Sequence, residues 1–208
     1  MMHMMRPLSP PDLIQPDREG LAHVPSWAGP PGLINDEHRG IFDATKDLPG
    51  WQDPPDSQKL YEMAYRSGSV ILEIGVFGGR SAVVELRGAI TAAQARGLPP
   101  PQYYGVDIDP GFFERTHKTI TDAGVADRCL LFHGDLPYFL RELPIVPTMV
   151  FVDGDHRYPG CWADLRLLST VLLPGTPVLC HDYGGIPGVQ RAVDEWVGGG
   201  AYEAMGRF

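Results

Sequence analysis

Basic residues and long apolar runs are both scarce in this chain of 208 residues. It has 17 lysines and arginines against 26 aspartates and glutamates, a formal net charge of −9 and a pI near 5.1. Because binding to a nucleic-acid backbone needs a basic face, we expect no nucleic-acid partner. No run has the length of a membrane span, and residues 1–7 lack the apolar run of a signal peptide. These absences favour a cytoplasmic protein with no membrane association.

Cysteine is also rare, with Cys129, Cys161 and Cys180 widely spaced along the chain. An odd, dispersed set argues against a disulfide framework, and we expect buried reduced thiols. The composition, 43% hydrophobic and 21% charged, is that of an ordinary globular protein. The length suits one sizeable core rather than two domains.

Regular periodicity is scarce at the start of the chain, where prolines accumulate. We therefore predict an extended or disordered arm over residues 1–30 and a single domain over residues 31–208. Within that domain we expect a helical cap over residues 31–68 and a cofactor-binding core over residues 69–208. Asn35 and Ser57 are the predicted N-caps of two cap helices.

The core begins with a strand that runs into a glycine turn. Val70–Ile74 is aliphatic and β-branched, which is typical of a strand covered on both faces. The run breaks at Gly75, and Gly78 and Gly79 precede a helical pattern. Strand, glycine turn and helix form nucleotide sites in parallel sheets, because the glycines let the backbone approach the ligand.

Two residues indicate which nucleotide this turn suits. Phe77 occupies the position of the second glycine in the dinucleotide fingerprint G-x-G-x-x-G, which disfavours a nicotinamide oxidoreductase. Glu73 lies inside the end of the strand, where a carboxylate would repel a diphosphate and accept hydrogen bonds from an ammonium group. The expected ligand carries an amino group and no phosphate, and S-adenosylmethionine fits that description.

Residues 73–81, Glu-Ile-Gly-Val-Phe-Gly-Gly-Arg-Ser, resemble the first motif of class I S-adenosylmethionine-dependent methyltransferases. The form is that found among small-molecule O-methyltransferases. The resemblance implies an α/β fold with a Rossmann-like, doubly wound and mostly parallel sheet. It also implies a cofactor site that includes Glu73, Gly75, Phe77, Gly78 and Ser81.

Acids follow the next two predicted strands. In the similar family the first acid of a D/E-I-x-P motif binds the ribose hydroxyls, which selects Asp107, with Ile108 beside it in the cofactor site. Asp109 better suits the N-cap of the next helix. Asp135 resembles an acid on the adenine side of the cofactor, although helix capping explains it nearly as well.

Ionisable residues cluster after two further predicted strands, at Asp153-Gly154-Asp155-His156 and at His181-Asp182. Such strand ends are where α/β sheets bind ligands. Phe-Val-Asp-Gly-Asp-His-x-Tyr followed by His-Asp-Tyr resembles macrocin and rhamnosyl O-methyltransferases, and more distantly catechol and caffeoyl-CoA O-methyltransferases. The resemblance extends from about Pro49 to Trp196.

These similar enzymes use a divalent ion, usually Mg²⁺, to lower the pKa of the acceptor hydroxyl. The resemblance therefore implies Asp153 and Asp182 as metal ligands, with Asp153 also bordering the cofactor. His181 stands where the family carries an acid, and imidazole is a poor ligand for Mg²⁺. Either the ion is softer, or His181 lies behind the ligands, or metal use has lapsed.

Two residues are candidates for the general base. His156 lies at the offset where catechol-type enzymes carry a lysine, and its usual pKa suits removal of a hydroxyl proton. Asp155 is the alternative, and we prefer His156. Capping of the next helix by Asp155 and simple exposure of His156 would leave neither residue a catalytic role.

The resemblance implies an O-methyltransferase acting on a hydroxylated small molecule, such as a natural-product sugar, and a homodimer is a further expectation. In the family the segment before the first motif often covers the substrate pocket, which makes Trp51 and Tyr61 lid candidates. Residues 201–208 leave room for one final strand where the family has two, so we expect a shortened C-terminal strand pair, through either a truncated end or pairing with a second chain. With His181, that shortfall keeps open a non-catalytic partner protein of the same fold.

Overall fold

The computed structural model describes residues 29–206, and the predicted arm over residues 1–30 lies almost entirely outside that range. The described residues form seven α-helices and five strands, with a 3₁₀ turn at Ala126–Arg128. In chain order these are α1 (Asp36–Thr45), α2 (Pro54–Ser67), β1 (Val70–Ile74), α3 (Arg80–Arg96), β2 (Gln102–Asp107), α4 (Pro110–Asp122), β3 (Cys129–His133), α5 (Leu136–Glu142), β4 (Met149–Val152), α6 (Tyr158–Val171), β5 (Val178–Cys180) and α7 (Pro187–Gly198). Alternating strands and helices are typical of a parallel sheet.

The strands form one parallel sheet in the order β3-β2-β1-β4-β5. The last residue of β1, Ile74, pairs with Val106 of β2 on one side and Val152 of β4 on the other. The strand order reverses between β1 and β4, and ligands of open α/β sheets bind at such a point, outside the carboxyl ends of the strands. The predicted doubly wound, Rossmann-like fold is confirmed.

Side chains of β1 alternate between two apolar cores, one on each face of the sheet. Ile71 packs in the core formed with α1, α2, α3 and α4. Leu72 and Ile74 pack in the core formed with α5, α6 and α7. By the same alternation, Glu73 shares the face of Ile71 and points towards α3, which decides its role below.

The cap helices begin close to where the sequence predicts. Asn35 caps α1 by accepting a hydrogen bond from the backbone of His38 at 2.7 Å. The second helix begins at Pro54 rather than after Ser57, which corrects the predicted cap. Proline is favoured in the first turn, and the Asp56 side chain accepts a hydrogen bond from the Asp53 backbone at 2.9 Å.

The C-terminal segment departs from the prediction of a last strand over residues 201–208. Residues 201–206 form no strand, and residues 207–208 lie outside the described range. After α7 the chain turns back, and the ring of Tyr202 stacks on Trp196 with 3.7 Å between centroids. Tyr202 thus packs in the core covered by α5, α6 and α7, and the segment adds no strand to the sheet. The sheet of the described chain therefore ends at β5.

All three cysteines are free, with Cys161 buried and the other two half-buried. Within residues 29–206, no helix combines the length and the apolarity needed to cross a membrane.

Candidate active site

A cavity of about 1790 Å³ opens above the carboxyl ends of the strands. The loops after β1, β2, β4 and β5 line it, together with the first turn of α2 and residues 202–206. Sites for one drug-sized ligand occupy roughly 300–1,000 Å³. This cavity therefore has room for two reactants side by side.

Gly75 forms the floor of the cavity where β1 ends. Its φ is +88°, its N–H donates to the Val106 carbonyl at 2.8 Å, and an added Cβ would lie 2.2 Å from the Asp153 carbonyl oxygen. A side chain at this position would meet both the strained φ and the backbone after β4. The backbone conformation and the chain after β4 therefore require glycine at position 75, where the sequence predicts a glycine turn.

Apolar surface accumulates at the β2 side of the cavity, around Phe77. Phe77 has a φ of +40° and packs edge-on against Phe112, with Trp51 6.3 Å away between ring centroids. Ile108 is 71% exposed and Trp51 is 78% exposed, and both line the cavity. Exposed apolar groups gathered around a cavity indicate a surface that a ligand covers.

Asp107 joins the glycine turn to the end of β2. Its Oδ2 accepts hydrogen bonds from the backbones of Val76 and Phe77 at 3.0 and 3.3 Å, and its Oδ1 accepts one from Asp109 at 2.9 Å. Asp107 still lines the cavity, and its Oδ1, which accepts one hydrogen bond, keeps a second lone pair for a ligand. The sequence indicated only the ligand-binding role of Asp107 and missed this structural one.

Helix capping accounts for Asp109 and Asp135. Asp109 accepts a hydrogen bond from Gly111, and Asp135 accepts one from Tyr138 at 2.9 Å. Asp135 also lines the cavity, where it faces Asp164 of α6, a residue that the sequence reasoning missed. Burial, followed by the charges of Asp155 and Asp135, raises the pKa of Asp164 to about 6.

Glu73 lies beneath the turn and outside the cavity lining, and its assignment to the cofactor site stays a prediction. It is fully buried and accepts hydrogen bonds from the hydroxyls of Ser81, at 2.5 Å, and Tyr103. Burial raises its pKa from 4.5 to about 8. Ser81 and Gly78 are also outside the lining, and a Cβ on Gly78 would lie 2.3 Å from Pro49. Glu73, Gly78 and Ser81 therefore support the glycine turn on the side away from the cavity.

Asp153, His181 and Asp182 meet at the β4 and β5 side of the cavity. Each offers a ligand atom, and these atoms all lie within 4.8 Å of one another. Backbone hydrogen bonds from Asp153 to Ile74 (2.8 Å) and from His181 to Val152 (3.0 Å) extend the sheet and fix both positions. Asp182 has a φ of +59°, an unfavourable backbone that clusters at functional sites.

His156 faces this cluster and Asp155 does not. The Nε2 of His156 lies 3.0 Å from the Oδ2 of Asp182 and 3.4 Å from the Oδ1 of Asp153. Asp155 instead accepts two hydrogen bonds from the guanidinium of Arg157, at 2.9 and 2.7 Å, and the pKa of Asp155 is lowered, chiefly by that contact. Of the two candidate bases, His156 is therefore the one that lies beside the carboxylates after β4 and β5.

Residues 72–183 match the family described as a methyltransferase domain, which is more than half of the chain. The chain belongs to this methyltransferase family. The recognition of a class I methyltransferase is thereby confirmed. No curated protein gave a significant match.

Solved structures share the fold of this methyltransferase. The O-methyltransferase TomG from Streptomyces achromogenes, involved in tomaymycin synthesis and solved with S-adenosylmethionine, is 23% identical, with a TM-score of 0.57 over 78% of this chain and 77% of that one. An O-methyltransferase from Bacillus cereus, solved with S-adenosylhomocysteine, is 16% identical (TM-score 0.58, coverage 80% and 79%). The Podospora anserina methyltransferase PaMTH1 is 19% identical (TM-score 0.60, coverage 89% and 88%).

The cavity of the methyltransferase is strongly acidic. Among the described residues, its only basic lining residue besides His156 and His181 is Arg157, and its acids are Asp53, Asp56, Asp107, Asp109, Asp135, Asp153, Asp155, Asp164, Asp182, Asp194 and Glu203. Such a lining attracts cations and repels a diphosphate. The sequence predicts a cationic ligand from Glu73 alone, and these other acids favour the same kind of ligand.

Arg80, which the sequence reasoning passed over, fastens a cap loop to the glycine turn. Its buried guanidinium donates to the carbonyls of Lys46 (2.5 Å), Leu48 (2.7 and 2.9 Å) and Gln52 (3.1 Å). This loop carries Trp51 to the cavity and leaves it a lid candidate.

Tyr61, the other lid candidate, is fully buried and donates a hydrogen bond to Glu37 at 2.9 Å. It therefore packs the cap and does not cover the cavity.

Proposed function

We propose that this methyltransferase transfers a methyl group from S-adenosylmethionine to a hydroxyl of a small molecule. The observation that carries the proposal is that His156 and its carboxylate partners line the same two-reactant cavity as the glycine turn. The solved O-methyltransferases of the same fold support it, and TomG supports a natural product as acceptor.

The acidic cavity suits the charges of the proposed cofactor. S-adenosylmethionine brings a sulfonium, an ammonium and one carboxylate, which leave a net positive charge, and no phosphate. We place its nucleoside on the β2 side, beside Asp107 and the exposed face of Ile108, and its amino-acid part above Gly75 and Asp153. The remaining space, between Trp51 and His156, is then the acceptor site.

In the proposed reaction the acceptor oxygen attacks the sulfonium methyl and displaces the thioether of S-adenosylhomocysteine. His156 removes the hydroxyl proton at Nδ1, while its Nε2–H donates to Asp182 and Asp153. These two carboxylates hold the ring and stabilise the imidazolium that forms. The positive charge of the sulfonium is lost as the imidazolium appears, so charge, atoms and electrons balance.

A divalent ion fits the donor set of Asp153, Asp182 and His181, since two carboxylates and an imidazole converge within 4.8 Å. Such an ion, when bound, would lower the pKa of the acceptor hydroxyl.

Methyl-labelled S-adenosylmethionine tests the proposal directly. We expect label to reach one or more acceptors in a panel of sugars, catechols and other phenols, with one S-adenosylhomocysteine released per methyl transferred. Asp36→Asn, an exposed change on α1 remote from the cavity, is the matched control and should behave as wild type. Cofactor binding with no transfer across the panel would contradict the proposal and favour the non-catalytic partner protein.

A further inference from the structure

The imidazole of His181 lies between carboxylates on both of its nitrogen sides. Its Nδ1 is 3.1 Å from the Oδ1 of Asp153 and 3.5 Å from the Oδ2 of Asp182. Its Nε2 is 3.5 Å from the Oδ2 of Asp56, which belongs to the first turn of α2 in the cap. The ring is largely buried and packs edge-on against Phe151, so its orientation is fixed.

This arrangement has the form of a carboxylate–histidine–metal triad. A metal-binding histidine almost always donates its second ring N–H to a carboxylate, carbonyl or water, which fixes the tautomer and orients the ring. Asp56 lies 3.5 Å from Nε2, on the side where such an acceptor is needed, while Nδ1 faces the two strand-end carboxylates. Imidazole suits transition-metal ions such as Fe²⁺, Ni²⁺ and Zn²⁺, whereas Mg²⁺ prefers an all-oxygen set. Mn²⁺ is the weakest binder of the transition-metal series and is therefore the most stringent probe of this preference.

We infer that His181 is a metal ligand through Nδ1, that Asp56 orients it through Nε2, and that the site selects a transition-metal ion over Mg²⁺. The inference rests on the proposed function, whose hydroxyl activation the ion would serve. It also assigns a role to the cap: α2 supplies Asp56, so binding of the ion fixes α2 against the ends of β4 and β5.

Mn²⁺ binding, followed through the loss of the free-ion electron paramagnetic resonance signal, tests this inference without any measurement of activity. We expect wild-type protein to bind Mn²⁺ and Mg²⁺ to displace it only in large excess. Asp56→Asn should weaken Mn²⁺ binding about 10- to 100-fold, the usual cost of losing an orienting partner. His181→Asp, which makes the donor set all-oxygen, should narrow the preference for Mn²⁺ over Mg²⁺.

Two controls separate binding from folding. Asparagine at position 56 keeps an oxygen for the backbone N–H of Asp53, and thermal unfolding of each variant reports whether the cap is intact. Asp36→Asn also removes one charge from the first turn of a cap helix, and it should leave Mn²⁺ binding unchanged.

Three results would overturn the inference: no Mn²⁺ bound by wild-type protein, equal binding by wild type and a folded Asp56→Asn, or equal competition by Mg²⁺. The first would mean that His181 forms an ion pair with its carboxylates and holds no metal. Methyl transfer measured in the presence of chelator keeps the two proposals distinguishable. Methyl transfer without metal would leave the proposed function intact. A wild-type protein that binds no S-adenosylhomocysteine would instead count against the function itself.

Discussion

Two groups of acidic residues flank the end of β1, and they have opposite surroundings. Glu73 and Glu85 lie between the sheet and α3, both fully buried, and both oxygens of Glu85 lack a hydrogen-bond partner. Burial raises the pKa of both, for Glu85 well above its usual value. Asp153 and Asp182 face the cavity, where two imidazoles lie within 3.0 to 3.5 Å of their oxygens.

The surroundings of Glu73 and Asp153 differ because one lies inside its strand and the other lies just past the end of its strand. Glu73 lies inside β1, so the alternation of side chains directs it into the core beneath α3. Asp153 is the first residue after β4, where the chain leaves the sheet and side chains reach the crevice. A carboxylate inside the strand favours its neutral form in this molecule, and one just past the strand end is left to bind cations.

We call Asp153, Asp182 and the imidazoles beside them the open group, because they face the cavity, and the largest expected effect is on this group. His156→Ala should lower turnover by about 10²- to 10⁴-fold, the usual contribution of a general base, with little change in affinity for S-adenosylhomocysteine. The measurement is kcat beside a calorimetric Kd for S-adenosylhomocysteine. His133→Ala is the matched control, since His133 is exposed and outside the cavity lining. Wild-type turnover in the His156 variant would remove that residue from the mechanism.

Removal of metal is the next test of the open group. EDTA should lower activity by roughly 10²-fold, because a bound ion contributes several kcal/mol to hydroxyl activation. Added Mn²⁺ should restore it better than Mg²⁺. Full activity in chelator would mean that the carboxylates act only on His156 and the cofactor.

Glu73 and Glu85, the closed group, are fully buried and should instead affect how the free energy of unfolding depends on pH. The pKa of Glu73 rises from 4.5 to about 8 in the fold, so folded protein holds an extra proton between these values. Its contribution to stability is complete below about pH 4.5 and is lost as pH rises through about 8. Glu73→Gln should remove up to about 1.4 kcal/mol per pH unit of that decline.

Urea unfolding of wild type and Glu73→Gln from pH 5 to pH 8 measures this slope. Methyl transfer should change little, because Glu73 is outside the cavity lining. An unchanged slope together with a large loss of activity would place Glu73 with the open group.

The smallest effect is expected at the edge of the cavity. Trp51→Ala should raise the KM of the acceptor, with turnover nearly unchanged and stability within about 0.5 kcal/mol, since Trp51 is mostly exposed. Trp51→Phe keeps an aromatic face and should recover part of the affinity. An unchanged KM in both variants would exclude Trp51 from acceptor binding.

The sequence predicted the parallel fold and the residues that follow β4 and β5, because both depend on local patterns. The side-chain direction of Glu73 could also be predicted, because Glu73 lies two residues after Ile71 in the same strand and so on the same face of the sheet. Asp56 could not be predicted as a neighbour of His181, because 125 positions separate them and only the docking of α2 brings them together. Arg80 was missed for the same reason, as its partners are carbonyls of a distant loop.

Calorimetric titration with S-adenosylhomocysteine and, separately, with NADH tests the central claim most directly. That claim is that the acidic crevice above β1, β2 and β4 accepts a nucleoside whose amino-acid part presents an ammonium group, and that it excludes a diphosphate. The account predicts saturable binding of S-adenosylhomocysteine and no heat of binding with NADH. Binding of NADH with none of S-adenosylhomocysteine would contradict the claim, and with it the roles proposed for Asp153, His156 and Asp182.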